Sequence, residues 1–319
     1  MADKPTRDGF GEALLELGAK DARIVALSGD LEDSARAKWF KDKYPERFFS
    51  VGIAEQDLIG TAAGLALAGK IPFACSFSAF VTGKSWEQIR VAVCYQQANV
   101  KIVGSHGGLS VGADGATAEA LEDVSIMRAL PHMTVIVPAD ALEASQATRA
   151  AAAHDGPVYL RVGRAPVPVI TAPDAPFVIG KAARVRDGDD ITLIACGTMV
   201  AFSLRAAELL QKQGIDARVL NMATIKPIDA DAVREAARQT GAVVTVEEHS
   251  VVGALGSAVA EVVAQDQPVP MRLVGVQDRF GTSGDPAALY KAFHLMPEDI
   301  VKAAKDVLRL KQNTLGCKR

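Results

Sequence analysis

A single carboxylate, Glu55, stands between a strand-like apolar run and a helical pattern. The segment Val51–Gln56 follows the run and opens the helix, which predicts that Glu55 lies in the first helical turn. Ligands of α/β proteins bind at this end of the sheet strands, so Glu55 is a candidate functional acid. The helix dipole alone also favours a carboxylate in the first turn, so a purely structural role stays open.

A glycine-rich segment, Gly104–Gly115, is the second candidate, with five glycines in twelve residues. Glycines at this density predict sharp turns or a close approach of the backbone to a ligand. His106 and Asp114 are the titratable groups of the segment, and proton transfer or anion binding needs such groups held on a loop. An ordinary glycine-rich surface loop fits the same pattern, so both interpretations stay open.

Several arginines stand at predicted strand ends or beside a helix. Arg7 stands just before the first helical pattern, and Arg161 and Arg164 follow Pro157–Leu160. Arg36 follows Leu27–Asp30, together with the polar residue Ser34. The planar fork of a guanidinium group matches two phosphate oxygens at once. Each of these arginines is also compatible with a solvated surface position. Taken alone, the residues indicate an α/β protein with an anionic ligand.

The elements that must position these residues alternate between strand-like and helical patterns. In the first half of the chain the strand-like runs are Arg23–Leu27, Phe48–Val51, Ile71–Phe77, Val100–Val103, Thr134–Val137 and Val158–Val162. Between them, helical spacing is found in Asp8–Leu17, Ala54–Leu67, Trp86–Cys94 and Ala139–Ala153. Such alternation predicts a mostly parallel sheet covered by helices.

The same alternation of strand-like and helical patterns begins again after the segment between Ala165 and Gly180, which contains four prolines. The later patterns predict strands at Ile191–Cys196, Ala217–Asn221, Ala242–Glu247 and Met271–Val276, and helices at Thr198–Gln213, Ala230–Thr240 and Pro297–Leu310. We therefore expect an α/β protein of two domains, residues 1–168 and 181–319, joined by a linker at 169–180. Each domain is expected to contain a mostly parallel sheet covered by helices.

Composition excludes several classes of protein. The formal charge is −3, with 35 Lys and Arg against 38 Asp and Glu, which predicts neither nucleic-acid nor membrane binding. The cysteines lie far apart, as Cys75, Cys94, Cys196 and Cys317, and form no CxxC pair. Free thiols in a reducing cytosol are the simplest interpretation, and no zinc site is expected. The first residues lack the apolar core of a signal peptide, which also favours a cytoplasmic location.

Taken together and in order, several stretches resemble the C-terminal two-thirds of transketolases. They are Gly52–Gln56, Ser76–Phe80, Val111–Gly115, Leu121–Arg128, Thr224–Asp229, Glu247–His249 and Phe280–Gly284. That family also includes the 1-deoxyxylulose-5-phosphate synthases and, more distantly, the β subunits of 2-oxoacid dehydrogenases. The similarity runs from Thr6 to about Leu308. It implies a thiamin-diphosphate pyrimidine-binding domain followed by a transketolase C-terminal domain.

The resemblance also implies roles for individual residues. Glu55 matches the carboxyl group that hydrogen-bonds the aminopyrimidine ring of thiamin diphosphate and activates it, and His106 is the second expected catalytic residue. Phe77 and Phe80 match aromatic positions that pack against the ring, and Asp30 is the remaining expected cofactor contact. The positions that match the sugar-phosphate site are Arg7, Ser34, His106 and Arg164, while Asp114 matches an acid that hydrogen-bonds a substrate hydroxyl.

Two positions depart from the pattern. Ala118 stands where transketolases commonly have a histidine, so it cannot hydrogen-bond a donor hydroxyl, and the identity of the ketose donor stays open. Gly83 replaces a third aromatic residue seen in many transketolases. Part of the pyrimidine pocket is therefore expected to be open or filled by neighbours.

The metal-binding half of the family pattern is missing from the sequence. Transketolases bind Mg²⁺ and the diphosphate through a Gly-Asp-Gly motif and a later Asn, and this chain contains no Gly-Asp-Gly. Hard oxygen ligands suit Mg²⁺, and we expect a separate N-terminal transketolase subunit to supply them. An α₂β₂ assembly and no metal ligands on this chain are the corresponding predictions.

The leading hypothesis is transfer of a two-carbon ketol unit from a ketose phosphate to an aldose or aldose phosphate. The alternatives are a β subunit of a 2-oxoacid dehydrogenase, a deoxyxylulose-phosphate-synthase-like enzyme, a transketolase for a branched or modified sugar phosphate, and a non-catalytic assembly subunit. The phosphate-site residues argue against the first alternative. Glu55 argues against the last.

Overall fold

The computed structural model describes residues 3–316, which form strands and helices in alternation. The strands are β1 Lys4–Pro5, β2 Ile24–Ser28, β3 Phe48–Ser50, β4 Ile71–Phe77, β5 Lys101–Ser105, β6 Thr134–Ile136, β7 Val158–Val162, β8 Pro166–Val167, β9 Ala183–Arg186, β10 Ile191–Ala195, β11 Ala217–Asn221, β12 Thr224–Lys226, β13 Val243–Ser250 and β14 Met271–Val276. The helices are α1 Thr6–Lys20, α2 Lys38–Lys43, α3 Glu55–Leu67, α4 Ser78–Gly83, α5 Trp86–Gln88, α6 Asp123–Arg128, α7 Ala141–Ala153, α8 Met199–Gln211, α9 Ala230–Thr240, α10 Leu255–Asp266, α11 Pro286–Ala292 and α12 Pro297–Gly316. Helix α5 continues as a π-helical segment, Ile89–Tyr95, and short 3₁₀ helices lie at Pro45–Arg47 and Leu109–Asp114.

The first sheet has seven strands in the order β12-β6-β7-β5-β4-β2-β3. Strands β3, β2, β4, β5, β7 and β6 are parallel, so their carboxyl ends meet at one edge. Strands β2, β4, β5 and β7 are buried along their whole length, because helices cover both faces of a parallel sheet. The edge strand β12 comes from the second half of the chain and pairs antiparallel with β6.

The second sheet has five strands in the order β14-β13-β10-β11-β9. Strands β14, β13, β10 and β11 are parallel, and β9 pairs antiparallel with β11 at the edge. Helices α8 and α12 pack against one another and bury apolar side chains such as Val200 and Ala304 against this sheet. The predicted two-domain α/β fold, with a mostly parallel sheet in each domain, is confirmed.

Most predicted strands and helices are confirmed to within two or three residues, and β4, β7, β11, α9 and β14 have the predicted bounds. The prediction was wrong at the last helix, which continues from Leu310 to Gly316. It also placed Arg7 before the first helix, whereas α1 begins at Thr6 and Arg7 lies in its first turn. The elements that were not predicted are β1, β8, β9, β12, α2, α4, α6, α10 and α11. Among them, β9 and β12 lie at the edges of the two large sheets. Both strands are short edge strands, whose sequence signal is weak.

Cys75, Cys94 and Cys196 are buried free thiols, as predicted, while Cys317 lies outside the described residues. Burial raises the pKa of the Cys94 thiol to about 11, which keeps it protonated at neutral pH. Across residues 3–316, no helix combines the length and the apolar character needed to cross a lipid bilayer.

Candidate active site

The candidate functional residues follow the carboxyl ends of neighbouring parallel strands. Asp30 follows β2, Glu55 follows β3, Phe77 ends β4, His106 follows β5, and Arg164 follows β7. Because these strands are parallel, their loops converge on one edge of the first sheet, where ligands of open α/β sheets bind. The fold thus brings together residues that lie far apart in the sequence.

Glu55 is the first residue of α3, as predicted, and only 3% of its surface is exposed. Its Oε1 accepts a hydrogen bond from the Ser76 hydroxyl at 3.3 Å. Its Oε2 lies 3.1 Å from the Lys84 ammonium, whose side chain is 52% exposed. Gly29 borders the same carboxylate, since a Cβ there would lie 3.7 Å from Oε1. Glu55 is therefore a buried acid whose charged partner, Lys84, has a side chain that is half exposed to solvent.

Three rings form a continuous row beside Glu55. Phe80 stacks on Phe77 with ring centroids 5.7 Å apart, and Phe77 stacks on the His106 imidazole at 3.9 Å. The Lys84 ammonium lies over the outer face of Phe80, 4.8 Å from the ring centroid. Phe77 is thus the common neighbour of the region around Glu55 and the region around His106.

His106 is a neutral imidazole at physiological pH. Burial, reinforced by Arg7, Arg164 and Arg36, lowers the pKa of His106 to about 3. The Arg7 guanidinium, which only donates, lies 3.4 Å from Nε2, so Nε2 is the accepting nitrogen and Nδ1 carries the proton. The Ser105 hydroxyl lies 2.8 Å from Nδ1 and completes this arrangement. The backbone of His106 has a positive φ of 59°, an uncommon conformation that is enriched at functional sites.

A cavity of about 310 Å³ contains all five residues predicted to bind substrate. Its lining comprises Arg7, Asp33, Ser34, Arg36, Phe77, His106, Asp114 and Arg164. Arg7 donates to the Ser34 carbonyl oxygen at 2.9 Å, and Arg164 lies 3.3 Å from the Asp114 carboxylate. Burial and the neighbouring Arg36 lower the pKa of Arg7. The convergence of three guanidinium groups on one cavity fits an oxyanion.

The structure also places the remaining residues singled out from the sequence. Asp30 is exposed at the end of β2 and has a positive φ of 64°, and it does not line the cavity. Ala118 is buried and packs with Phe77 and Val111 in a small apolar cluster behind the cavity-lining Phe77. Gly83 faces open space, because a Cβ there would meet nothing within 4 Å.

The glycine-rich segment is neither a free surface loop nor a ligand cradle along its length. A Cβ at Gly108 would lie 2.4 Å from the Glu248 carboxylate of the second domain, and Gly108 has a φ of 91°. The Ser283 hydroxyl donates to the Ala113 carbonyl oxygen at 2.7 Å. The glycines therefore allow close contact between the two domains, and His106 and Asp114 lie at the two places where the segment meets the cavity.

Arg161 was predicted to follow a strand that ends at Leu160, whereas it lies within β7, Val158–Val162. Arg161 is 7% exposed and donates to the Asp123 carboxylate at 2.9 Å. It also donates to the carbonyl oxygens of Ala120 and Glu248, which joins the two domains. Sequence reasoning missed this buried network, and it missed Asp33 in the cavity. The signal that could have found the network is the resemblance of Leu121–Arg128 and Glu247–His249 to transketolases, because these stretches contain Asp123 and Glu248.

The residues present fit the pyrimidine half of thiamin diphosphate. A buried carboxylate lies at the same sheet edge as a stacked aromatic pair, in which Phe77 is buried and Phe80 is half-buried, and the space next to Gly83 is open. For the metal, no cluster of three or more His, Cys, Asp or Glu side chains within the described residues could hold an ion.

Comparison with known proteins agrees with this geometry. Residues 3–169 match the family model for the pyrimidine binding domain of transketolase, and residues 180–300 match the one for the transketolase C-terminal domain. The chain is 47% identical over 305 residues to the 6-deoxy-6-sulfo-D-fructose transketolase subunit SqwH of Clostridium sp. (strain MSTE9), covering 96% of this chain and 95% of the relative. It is 41% identical to one subunit of the apulose-4-phosphate transketolase of Phocaeicola vulgatus, covering 95% of this chain and 97% of that subunit.

A solved structure described as a split gene transketolase, inactive beta4 tetramer, superposes with a TM-score of 0.89 at 46% identity. The match covers 97% of this chain and 99% of that one. The resemblance found in the sequence is thereby confirmed: the chain belongs to the transketolase family, whose members use thiamin diphosphate, and it matches separate transketolase subunits over nearly their whole length.

Proposed function

We propose that this chain is the cofactor-activating subunit of a two-chain transketolase. In this assembly it transfers a two-carbon ketol unit from a ketose phosphate to an aldose or aldose phosphate. The observation that carries the proposal is a buried carboxylate, Glu55, at the same sheet edge as the stacked row of Phe80, Phe77 and His106, which ends at the arginine-lined cavity.

Each side chain has a distinct task in this proposal. Bound thiamin diphosphate supplies a carbon nucleophile and an electron sink for cleaving the bond beside a ketose carbonyl. Glu55 holds a proton for the aminopyrimidine nitrogen, and Phe77 and Phe80 pack against that ring. Neutral His106 offers Nε2 as an acceptor to a substrate hydroxyl once Arg7 turns to the anion.

The cavity beside His106 is proposed to bind the anionic end of the sugar. Arg7 and Arg164 provide planar donors to a tetrahedral oxyanion, with Ser34 beside them, and Asp114 accepts a substrate hydroxyl. The relatives named above act on a sulfonated ketose and on a ketose phosphate, and both carry a tetrahedral oxyanion.

A second chain is proposed to hold Mg²⁺ and the diphosphate. The described residues contain no suitable acidic cluster, and the side chains near Glu55 include Ile53, which is 76% exposed. An exposed apolar side chain beside a catalytic acid suits a surface that a partner covers. We propose an α₂β₂ assembly with an N-terminal transketolase subunit, since closed symmetry is the rule for oligomers.

The test is reconstitution. The chain is co-purified with its partner, and ketose phosphates and a ketose sulfonate are screened as donors against a panel of aldehydes with thiamin diphosphate and Mg²⁺. We expect ketol transfer that requires both chains and the cofactor. Full activity of either chain alone would overturn the two-chain proposal, and release of CO₂ from a 2-oxo acid would favour the dehydrogenase alternative.

A further inference from the structure

The Lys84 ammonium is the feature of the site that the proposed chemistry does not use. It lies 3.1 Å from Glu55 Oε2 and forms an ion pair between one half-exposed and one buried side chain. The Ser76 hydroxyl, at 3.3 Å, is a neutral and longer contact to the other oxygen. Lys84 is therefore the principal charge partner of Glu55 in the chain without cofactor.

An ammonium group only donates hydrogen bonds, so the Glu55 carboxyl group accepts in this pair. A buried carboxylate left without a partner is strongly unfavourable, because it has lost its hydration. Lys84 thus supplies the positively charged partner that a buried Glu55 carboxylate requires. The lysine also fixes the direction of Oε2.

The hydrogen-bonding role required of the Glu55 carboxyl group changes when an aminopyrimidine binds. The ring nitrogen of a neutral pyrimidine only accepts hydrogen bonds, so Glu55 must donate and must carry a proton. The Lys84 ammonium, 3.1 Å from Oε2, needs a carboxyl group that accepts, whereas the ring nitrogen needs one that donates, so the two contacts compete for one carboxyl group.

The Lys84 side chain can move away from Glu55 without entering the protein interior. Its side chain is 52% exposed, and its ammonium already lies 4.8 Å from the centroid of the Phe80 ring. Gly83, the preceding residue, leaves open space on the same side of the site. The long flexible stem can therefore turn to solvent or remain on the aromatic face without disturbing buried groups.

We propose that Lys84 is a positioning residue that pairs with Glu55 only while the cofactor is absent and must be displaced when the aminopyrimidine binds. This inference depends on the proposed function, in which Glu55 receives that ring. Its consequence is that Lys84 weakens cofactor binding while it protects the buried carboxylate of the empty subunit.

The test compares cofactor affinity with turnover in the reconstituted complex. Lys84→Met keeps the length of the stem and removes the charge. We expect the Kd of thiamin diphosphate, measured at saturating Mg²⁺ by tryptophan fluorescence, to fall by about threefold to tenfold. At saturating cofactor, kcat should stay within about twofold. Lys38→Met is the matched control, because Lys38 forms an exposed pair with Asp42 and should leave the Kd unchanged.

A double-mutant cycle separates this role from a merely structural one. In a Glu55→Gln background, Lys84→Met should no longer change the Kd, since the proposed coupling passes through the carboxylate. In the free chain, Lys84→Met should lower the Tm, whereas Lys38→Met should not. If Lys84→Met does not fold, Lys84→Gln, which keeps a donor without the charge, replaces it and should lower the Kd by a smaller factor.

An unchanged or raised Kd in a folded Lys84 variant would overturn the inference. So would a loss of kcat with an unchanged Kd, because the lysine would then act in the loaded site. A wild-type complex that binds no thiamin diphosphate would instead refute the proposed function, and the inference with it.

Discussion

Arg161 and Arg164 lie three residues apart, the first within β7 and the second just after it, yet they belong to different regions. Arg161 is 7% exposed, and its donors are used by Asp123, Ala120 and Glu248 at the seam between the domains. The side chain of Arg164 is 43% exposed and lines a cavity of about 310 Å³. The seam contains a cavity of only about 30 Å³. The Arg161 guanidinium at the seam already has its partners, whereas the guanidinium groups at the larger cavity converge on space for a ligand.

The largest effect is expected at the seam. Arg161→Met removes the cation that compensates Asp123, which is almost fully buried and also accepts from the Tyr159 hydroxyl at 2.5 Å. Breaking a buried pair on one side leaves an uncompensated charge, so the free energy of unfolding should fall by about 3–5 kcal/mol. Urea denaturation measures the change. A loss below about 1 kcal/mol would mean that the seam does not depend on this pair.

The same substitution at Arg164 should act on binding and leave stability almost unchanged. Arg164→Met removes one donor group from the cavity, and we expect the KM of the anionic ketose to rise by about 10- to 100-fold. The free energy of unfolding should change by no more than about 0.5 kcal/mol. Arg184→Met is the control, since Arg184 is also 43% exposed but pairs with acids on the second domain. An unchanged KM would remove Arg164 from the substrate site.

The smallest expected effect concerns the pH dependence of the seam. Burial raises the pKa of Glu143 to about 7, and Glu143 accepts from the Asn221 side chain across the domains at 2.8 Å. Its folded pKa exceeds its unfolded value, so its stabilising contribution is present below the unfolded pKa and is lost as pH rises through about 7.

We therefore expect the free energy of unfolding of the wild type to fall, relative to Glu143→Gln, as pH rises from about 5 to 8, with a slope of at most about 1.4 kcal/mol per pH unit. Glutamine keeps an acceptor for the Ala139 amide and can donate to Asn221 if that amide is reversed. Parallel curves for the two proteins would show that Glu143 does not titrate in this range.

Sequence reasoning succeeded where a side chain's role follows from its position on a strand or helix. Glu55 at a helix start and Phe77 at a strand end could be placed because apolar periodicity locates those ends. It could not separate Arg161 from Arg164, because burial depends on contacts such as Glu248, which is 87 residues away. The Lys84 contact with Glu55, 29 residues apart, was missed for the same reason. For the 104–115 segment the sequence left a ligand-binding loop and an ordinary surface loop open, and neither interpretation anticipated that Gly108 makes room for Glu248 of the second domain.

The central claim is that Glu55 activates the cofactor of a two-chain transketolase. Its most direct test is the turnover of the reconstituted complex with Glu55→Gln, compared with Asp57→Asn, which changes an exposed acid in the same helical turn. We predict that Glu55→Gln lowers kcat by at least about 100-fold while assembly is retained, and that Asp57→Asn stays within about twofold of the wild type. A Glu55→Gln complex that assembles normally and keeps full turnover would contradict the claim and favour a non-catalytic subunit.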